Sequence, residues 1–223
     1  MIYSKEVLKR FENTEPATYG HFPGVCFMDA SIKPVDNRVR MAGLAYTVRL
    51  QGKDSAQLYL AIKRAPENSV LVIDRCGDNT FAAVGEMVAR NAKAHHLAGI
   101  VVDGAATDSL ALLEMDFPVF CRSISVATTN VWGVSGESDL LIQCGGAPVQ
   151  PGDLILGNAD GVVVISNQNF LELLEKAESV EAREKIMRVK FEQGLDQLLD
   201  VTPLLEADLL NEINRLKELG RMQ

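Results

Sequence analysis

The chain has 223 residues, 47% of them hydrophobic, which is enough to bury a sizeable core as one domain or as one domain with an appendage. A formal net charge of −8 leaves no surplus of lysine and arginine to displace phosphate counterions, which argues against direct nucleic-acid binding. Cys26, Cys76, Cys121 and Cys144 form no C-x-x-C pair, the opening MIYSKEVLKRF has no apolar signal core, and no apolar run nears roughly 18 residues, so a reduced, cytoplasmic protein with no membrane span is expected.

Ser4 followed by Val7, Leu8 and Phe11 predicts a short helix over 4–12 with a serine cap. Gly20, Pro23, Gly24 and Pro34 break 17–39 into loops around short extended pieces. Residues 41–50, MAGLAYTVRL, alternate as a strand with a glycine at a close approach or bulge. A helix is expected over 54–64, with Leu58, Ala61 and Ile62 facing inward, ending before Pro66.

The next stretch organises the rest. Residues 70–73 are a β-branched run closing on Asp74, and 99–102 form a second buried strand. Between them Gly85 and Glu86 open a helix whose apolar face is read as Val84, Met87, Val88 and Ala92. Strand, helix and strand with short connections predict a crossover between parallel strands. The helix N-terminus then lies at the sheet edge where Asp103, Gly104, Thr107 and Asp108 emerge, the edge at which open α/β sheets usually bind ligands.

A short helix over 109–115, capped by Asp108, and a third strand over 118–121 follow. Residues 123–146 read as a β-rich segment with long loops, holding Trp132 and a strand candidate at 140–143. The turn Gln150-Pro151-Gly152-Asp153 leads into a strand over 154–156, and Asp160-Gly161 joins it to 162–165 as a hairpin. Beyond Asn169 the composition predicts helices over 170–193 and 203–222. In the second, Leu205, Leu209, Ile213, Leu216 and Leu219 fall near coiled-coil spacing, for packing on the same subunit or a neighbour. The expected organisation is an α/β domain over 1–194 and a helical extension over 195–223.

The unpaired N–H groups of Gly85, Glu86, Met87 and Val88, at the positive end of a helix dipole, suit a small carboxylate or phosphate. Asp108 at the same edge could hold a hard cation such as Mg²⁺, with Glu86 as an acceptor beside it. From spacing alone a plainer reading stays open, in which Asp108 caps its own helix and Glu86 complements the dipole. His95 and His96 fit a helix C-terminus, His21 a loop, and Cys76 and Cys121 small core positions. No G-x-S-x-G, H-E-x-x-H, Walker A or G-x-G-x-x-G pattern occurs, which leaves hydrolase triads, zincins, nucleotide hydrolysis and dinucleotide binding without support.

Three separated motifs, GEMVARNAKAHHLAGIVVDGAATD, FPVFCR and CGGAPVQPGDLILGNADGVVVIS, occur in an order that resembles the RraA-like family. This is the family of the regulator of ribonuclease E activity and the 4-hydroxy-4-methyl-2-oxoglutarate aldolases, some of whose members were formerly labelled demethylmenaquinone methyltransferases. The resemblance spans about 18–194 and implies a single α/β domain with a swivelling-domain-like ββα core, assembled as a homotrimer or a hexamer. The aldolase signature is an acidic residue, twenty intervening residues and Arg-Asp. Here Glu86 is followed by twenty residues and Thr107-Asp108.

By that resemblance Asp108 is the metal ligand, Glu86 the acidic catalytic partner, and the backbone of Gly85, Glu86, Met87 and Val88 the cradle for a pyruvate carboxylate. Thr107 stands at the position of the arginine that contacts the 2-oxo acid. Glu184 matches the glutamate supplied by a neighbouring subunit. Mg²⁺ is the implied cofactor, with Mn²⁺ as the alternative. Threonine offers one neutral donor where guanidinium offers a charged fork, so weakened or altered activity is expected, with Arg122 and Arg90 as candidate replacements. The implied activity is metal-dependent aldol cleavage or decarboxylation of a small 2-oxo acid through a pyruvate enolate. A noncatalytic regulator that binds a protein partner of the RNA-processing machinery, and a structural oligomer with a vestigial pocket, remain open alternatives.

Overall fold

In the computed structural model, which describes residues 4–168 and 170–194 together with Asn211 and Asn214, the chain opens with helix α1, Lys5–Asn13. The Val7 N–H donates to Ser4 Oγ at 3.4 Å, and Leu8 and Phe11 are buried. A 3₁₀ turn, Pro16–His21, and two short strands, β1 (Val25–Phe27) and β2 (Lys33–Pro34), make up the punctuated segment that follows. The centre is then built by repetition. Strand β3 (Met41–Arg49), helix α2 (Ala56–Arg64), strand β4 (Ser69–Asp74), helix α3 (Glu86–Ala94), strand β5 (Gly99–Ala106), helix α4 (Ser109–Glu114) and strand β6 (Val119–Ile124) alternate, and the four strands pair in parallel in that order.

The segment after β6 contributes β7 (Glu137–Ser138), the hairpin of β8 (Ile142–Cys144) and β9 (Ala147–Val149), and the hairpin of β10 (Leu154–Asn158) and β11 (Gly161–Ile165). The main sheet runs β1-β11-β10-β3-β4-β5-β6-β2, with antiparallel pairs flanking the parallel centre and β7 on β3. The expected α/β fold with a swivelling-type mixed core is therefore present, and the strand predictions fall within one to four residues of the observed limits.

Period-two alternation explains why β4 is an unbroken apolar run. Leu71 and Ile73 join the residues of α2, α3 and α4 on one face, whereas Val70 and Val72 join Ile142, Cys144 and Val149 under the β8–β9 hairpin on the other. All three crossover helices therefore pack on one face. Gly43 in β3 marks a close approach, since a Cβ there would lie 2.5 Å from the Asn68 carbonyl oxygen and 3.0 Å from Val70 Cγ2. One expected face needs correction: Met87 is 71% exposed, and α3 buries Val88, Ala89 and Ala92 instead. The true stripe follows the i, i+1, i+4 positions that face the sheet, which places Met87 toward solvent.

At the carboxyl edge of β3, Asp54 does not enter helix α2 as expected. Its buried carboxylate accepts the N–H groups of Ala56, Trp132, Gly133, Val134 and Ser135 at 2.7–3.2 Å. The backbone N–H of Ala56 and then those of the 132–135 loop hold this carboxyl below the usual carboxylate range. The result is a fixed loop that presents Val131, Trp132 and Val134 to solvent.

Contacts divide the chain into two compact units, Met1–Glu178 and Ser179–Gln223. In the first, Phe170, Leu173, Leu174 and Ala177 of helix α5 (Phe170–Glu192) pack with Leu8, Phe11 and Tyr19 and the outer faces of β10 and β11, and Arg10 makes a two-pronged bond to Glu178 at 2.7 and 2.8 Å. In the second, the described part is the remainder of α5 to Glu192, then Gln193 and Gly194, and Asn211 and Asn214, with Arg188 on Glu184 at 3.3 Å. The expected helix over 203–222 and its leucine spacing lie outside the described residues, apart from Asn211 and Asn214. No helix among the described residues is long and apolar enough to cross a membrane.

Asp54 supplies a test of the loop. Its folded pKa lies below its unfolded value of about 3.9, so its stabilisation is complete above about pH 4 and is lost as pH falls through the folded value. Trp132 is the only tryptophan, so its fluorescence reports this loop alone. Asp54→Ala is expected to shift Trp132 emission and raise proteolysis within 130–135 at neutral pH, and wild type is expected to reproduce the shift only when acidified far below about pH 4, toward the folded value.

Candidate active site at the α3–β5 corner

The segment that leads into α3 is fastened to the end of β5. Val84 bridges Ala106, and the Thr107 N–H donates to the Val84 carbonyl at 2.8 Å. Gly85 then occupies the N-cap of α3 in an extended conformation that any residue can adopt. Its reason for being glycine is space, since a Cβ would lie 2.5 Å from Asp108 Oδ2 and 2.7 Å from Thr107 Cγ2. The sequence therefore brings Gly85, Glu86, Thr107 and Asp108 into one corner.

Asp108 stands at the N-cap of α4, but its side chain makes no capping bond there. Its backbone is left-handed, with φ at 55°, and Asp108 Oδ2 accepts the Glu86 N–H at 2.9 Å. The expectation that Asp108 caps its own helix is thus corrected: it caps α3, twenty-two residues earlier in the chain. Its other oxygen, Oδ1, meets only the Thr107 hydroxyl, at 3.5 Å, among the described residues. The Glu86 carboxylate accepts Arg90 Nε at 2.8 Å, in an i,i+4 pair on the exposed side of α3. The anion cradle expected of Gly85, Glu86, Met87 and Val88 is narrower than the motif implies, because the Glu86 donor already serves Asp108. The N–H groups of Met87 and Val88, in the first helical turn, have no acceptor within the helix.

Other carboxylates at this edge are engaged by protein groups. Arg49, Asp74, Asp103 and Arg122 form a row across β3, β4, β5 and β6. Arg49 Nε donates to Asp74 Oδ2 at 3.1 Å, and Arg122 is paired to Asp103 and, at 3.4 Å, to Asp29. The second oxygens of Asp74 and Asp103 accept the N–H groups of Cys76 and Gly145 at 2.7 and 2.6 Å. Asp78 accepts buried Arg75 and the N–H groups of Thr80 and Phe81. Sequence reading singled out Asp74 and Asp103 as strand ends but missed the row. Its signal was an arginine or aspartate at the matching end of each successive strand.

That engagement bears on the proposed replacements for the missing arginine. Arg122 is committed to Asp103, Asp29 and Ser31, whereas Arg90 lies on α3 beside Glu86. Glu184 lies in the second compact unit, exposed and paired with Arg188. His95 and His96 close α3 at the opposite end, with His95 Nδ1 2.9 Å from the Asn91 carbonyl oxygen. Burial pushes the Cys121 thiol up to about 11 and the fully buried Cys144 thiol well above its usual range, which makes both poor nucleophiles.

Among the described residues no group of three or more His, Cys, Asp and Glu side chains is placed to hold a metal ion. A hard cation held by one carboxylate oxygen, with water and ligand oxygens completing its shell, fits Asp108 Oδ1. Capping and ligation use different oxygens of Asp108 and can be separated. Asp108→Ala is expected to destabilise the fold by about 1 kcal/mol in urea unfolding through loss of the α3 cap, while Asp108→Asn, which keeps an acceptor, costs roughly half that or less.

The chain is similar to known proteins along most of this architecture. A family model described as "RraA-like: Aldolase/RraA" matches residues 19–164. A protein of Halalkalibacterium halodurans named "Putative 4-hydroxy-4-methyl-2-oxoglutarate aldolase" is 38% identical over 159 residues, covering 71% of this chain and 75% of its own. The solved structure of the RNA-processing inhibitor RraA from Thermus thermophilis superposes with a TM-score of 0.61 at 25% identity, covering 74% of this chain and 93% of its own. Streptomyces coelicolor RraAS2, described as an unusual member of the RNase ES inhibitor RraA family, shares the fold with a TM-score of 0.72 at 22% identity, covering 84% and 98%. With the family model over residues 19–164 and a 38% identical relative in agreement with the motif order and the mixed sheet, the chain belongs to the RraA-like family.

Proposed function

We propose that the chain is a divalent-metal-dependent carbon–carbon lyase, of the aldolase or oxaloacetate-decarboxylase type, acting on a small 2-oxo acid by way of a pyruvate enolate. The observation that carries this reading is Asp108, with one oxygen fastened to the start of α3 and the other uncommitted at an edge where Asp54, Asp74, Asp78 and Asp103 are engaged by protein groups. Kinship with a protein named as an aldolase supports the same reading.

Asp108 Oδ1 would hold the metal, and the Met87 and Val88 N–H groups would receive the acid's carboxylate, aided by the α3 dipole. A bound Mg²⁺, or Mn²⁺, supplies Lewis-acid withdrawal of charge from the 2-oxo acid during cleavage. Thr107 donates a single neutral hydrogen bond to the developing oxyanion. For aldol cleavage the departing hydroxyl must lose a proton, and Glu86 is the nearby carboxylate to take it directly or through a water. In a homotrimer or hexamer Glu184 of a neighbouring copy would be a second acceptor. A cytoplasmic setting belongs to the same proposal.

A second reading, a noncatalytic protein-binding regulator, draws on the loop fixed by Asp54, where Trp132 is 58% and Val134 79% exposed. The RNA-processing inhibitor RraA from Thermus thermophilis shares this fold.

Pyruvate release from oxaloacetate and from 4-hydroxy-4-methyl-2-oxoglutarate separates the two. The lyase requires turnover with Mg²⁺ that is lost with chelator and in Asp108→Ala. Thr107→Arg is expected to raise the rate by about 10²- to 10³-fold by restoring a charged donor. Inactivity of both wild type and a folded Thr107→Arg on these acids would leave the regulator as the better account.

A further inference from the structure

An open groove of about 520 Å³ runs between α3 and α4 from the candidate site, lined by Glu86, Arg90, Lys93, Ala111 and Glu114 among others. Glu86 belongs to both: its N–H holds Asp108, and its side chain reaches into the groove. Glu86, Arg90 and Lys93 lie at i, i+4 and i+7, on one side of α3. Lys93 Nζ is committed to the carbonyls of Met115 and Asp116, at 2.5 and 3.3 Å, at the end of α4. Arg90 uses only Nε, and among the described residues its two terminal nitrogens meet no acceptor.

From this we infer that Arg90 is a specificity-determining residue that receives the distal carboxylate of a dicarboxylic 2-oxo acid. The inference rests on the lyase reading of the same site. Arg90 Nε lies 2.8 Å from the Glu86 carboxylate, so the guanidinium leans back toward the first turn of α3. The two carboxylates of a four- or five-carbon dicarboxylic acid are separated by about 5 Å, three or four carbon–carbon bonds in partly extended form. On this inference an acid whose first carboxylate rests on the Met87 and Val88 N–H groups directs its second toward the free side of the guanidinium. Planar terminal N–H groups match a carboxylate in two-pronged geometry, which lysine cannot reproduce. Further along, Glu114 faces the same groove and repels a longer acid, which limits the chain length. A charge missing at Thr107 is in this way supplied from α3, for recognition of the far end and not for the reacting carbonyl.

The test is a matched pair of ligands, 2-oxoglutarate and 2-oxopentanoate, which have equal chain length and differ by the distal carboxylate. Their binding to the full chain with Mg²⁺ is measured by calorimetry for wild type, Arg90→Gln and Arg90→Lys. Wild type is expected to prefer 2-oxoglutarate by about five- to tenfold, Arg90→Gln to bind the two equally with 2-oxopentanoate affinity unchanged, and Arg90→Lys to keep part of the preference. Equal binding of the two acids by wild type, or a preference that survives in Arg90→Gln, would overturn the inference while leaving the lyase reading in place. Failure of wild type to bind either acid would overturn the inference, while the lyase reading is decided separately by pyruvate release.

Discussion

The bond from the Glu86 N–H to Asp108 Oδ2 is the constraint on which the functional corner depends. It joins the first residue of α3 to the turn after β5 and satisfies a donor that the helix leaves open. It also fixes the direction of the other carboxylate oxygen. The corner closes only because Gly85 has no side chain to meet Asp108 and Thr107. The left-handed backbone at Asp108 turns its side chain toward α3 and away from α4. A capping bond and an open ligand position are thus two consequences of one conformation.

The surrounding edge gives this corner its meaning. Carboxylates at the ends of parallel strands repel one another unless each finds a partner, and here the partners are found in register. Arg49 and Arg122 bracket Asp74 and Asp103, backbone N–H groups complete both, and Asp54 gathers a whole loop. Such internally satisfied groups rigidify the edge and are poor places for a ligand. Asp108, exposed and half-committed, differs from them in kind.

Much of this was legible in the sequence where a short-range rule decides the outcome. The apolar run before Asp74, the helix opened by Gly85 and Glu86 and the Asp160-Gly161 turn follow from periodicity and turn chemistry, and each stands near its predicted place. The meeting of Glu86 with Asp108 was legible only through parallel-strand topology and family spacing, and the topology is observed. What was not legible depends on side-chain direction. Asp108 could cap the helix after it or the helix before it, and a backbone angle decided between them. Met87 fell outside the buried stripe because the face that meets the sheet runs through Val88, Ala89 and Ala92, which turns Met87 toward solvent. The five N–H groups on Asp54 come from residues two and about eighty positions away, a pairing that no local pattern encodes.

The central claim is that Asp108 offers a free oxygen to a hard cation while its other oxygen holds α3. Paramagnetic resonance of Mn²⁺, titrated into wild type and Asp108→Asn in the presence of oxalate, addresses it without relying on turnover. The account predicts that wild type takes up Mn²⁺ with oxalate and that Asp108→Asn, folded and with α3 still capped, does not. Equal Mn²⁺ uptake by the two proteins would contradict it.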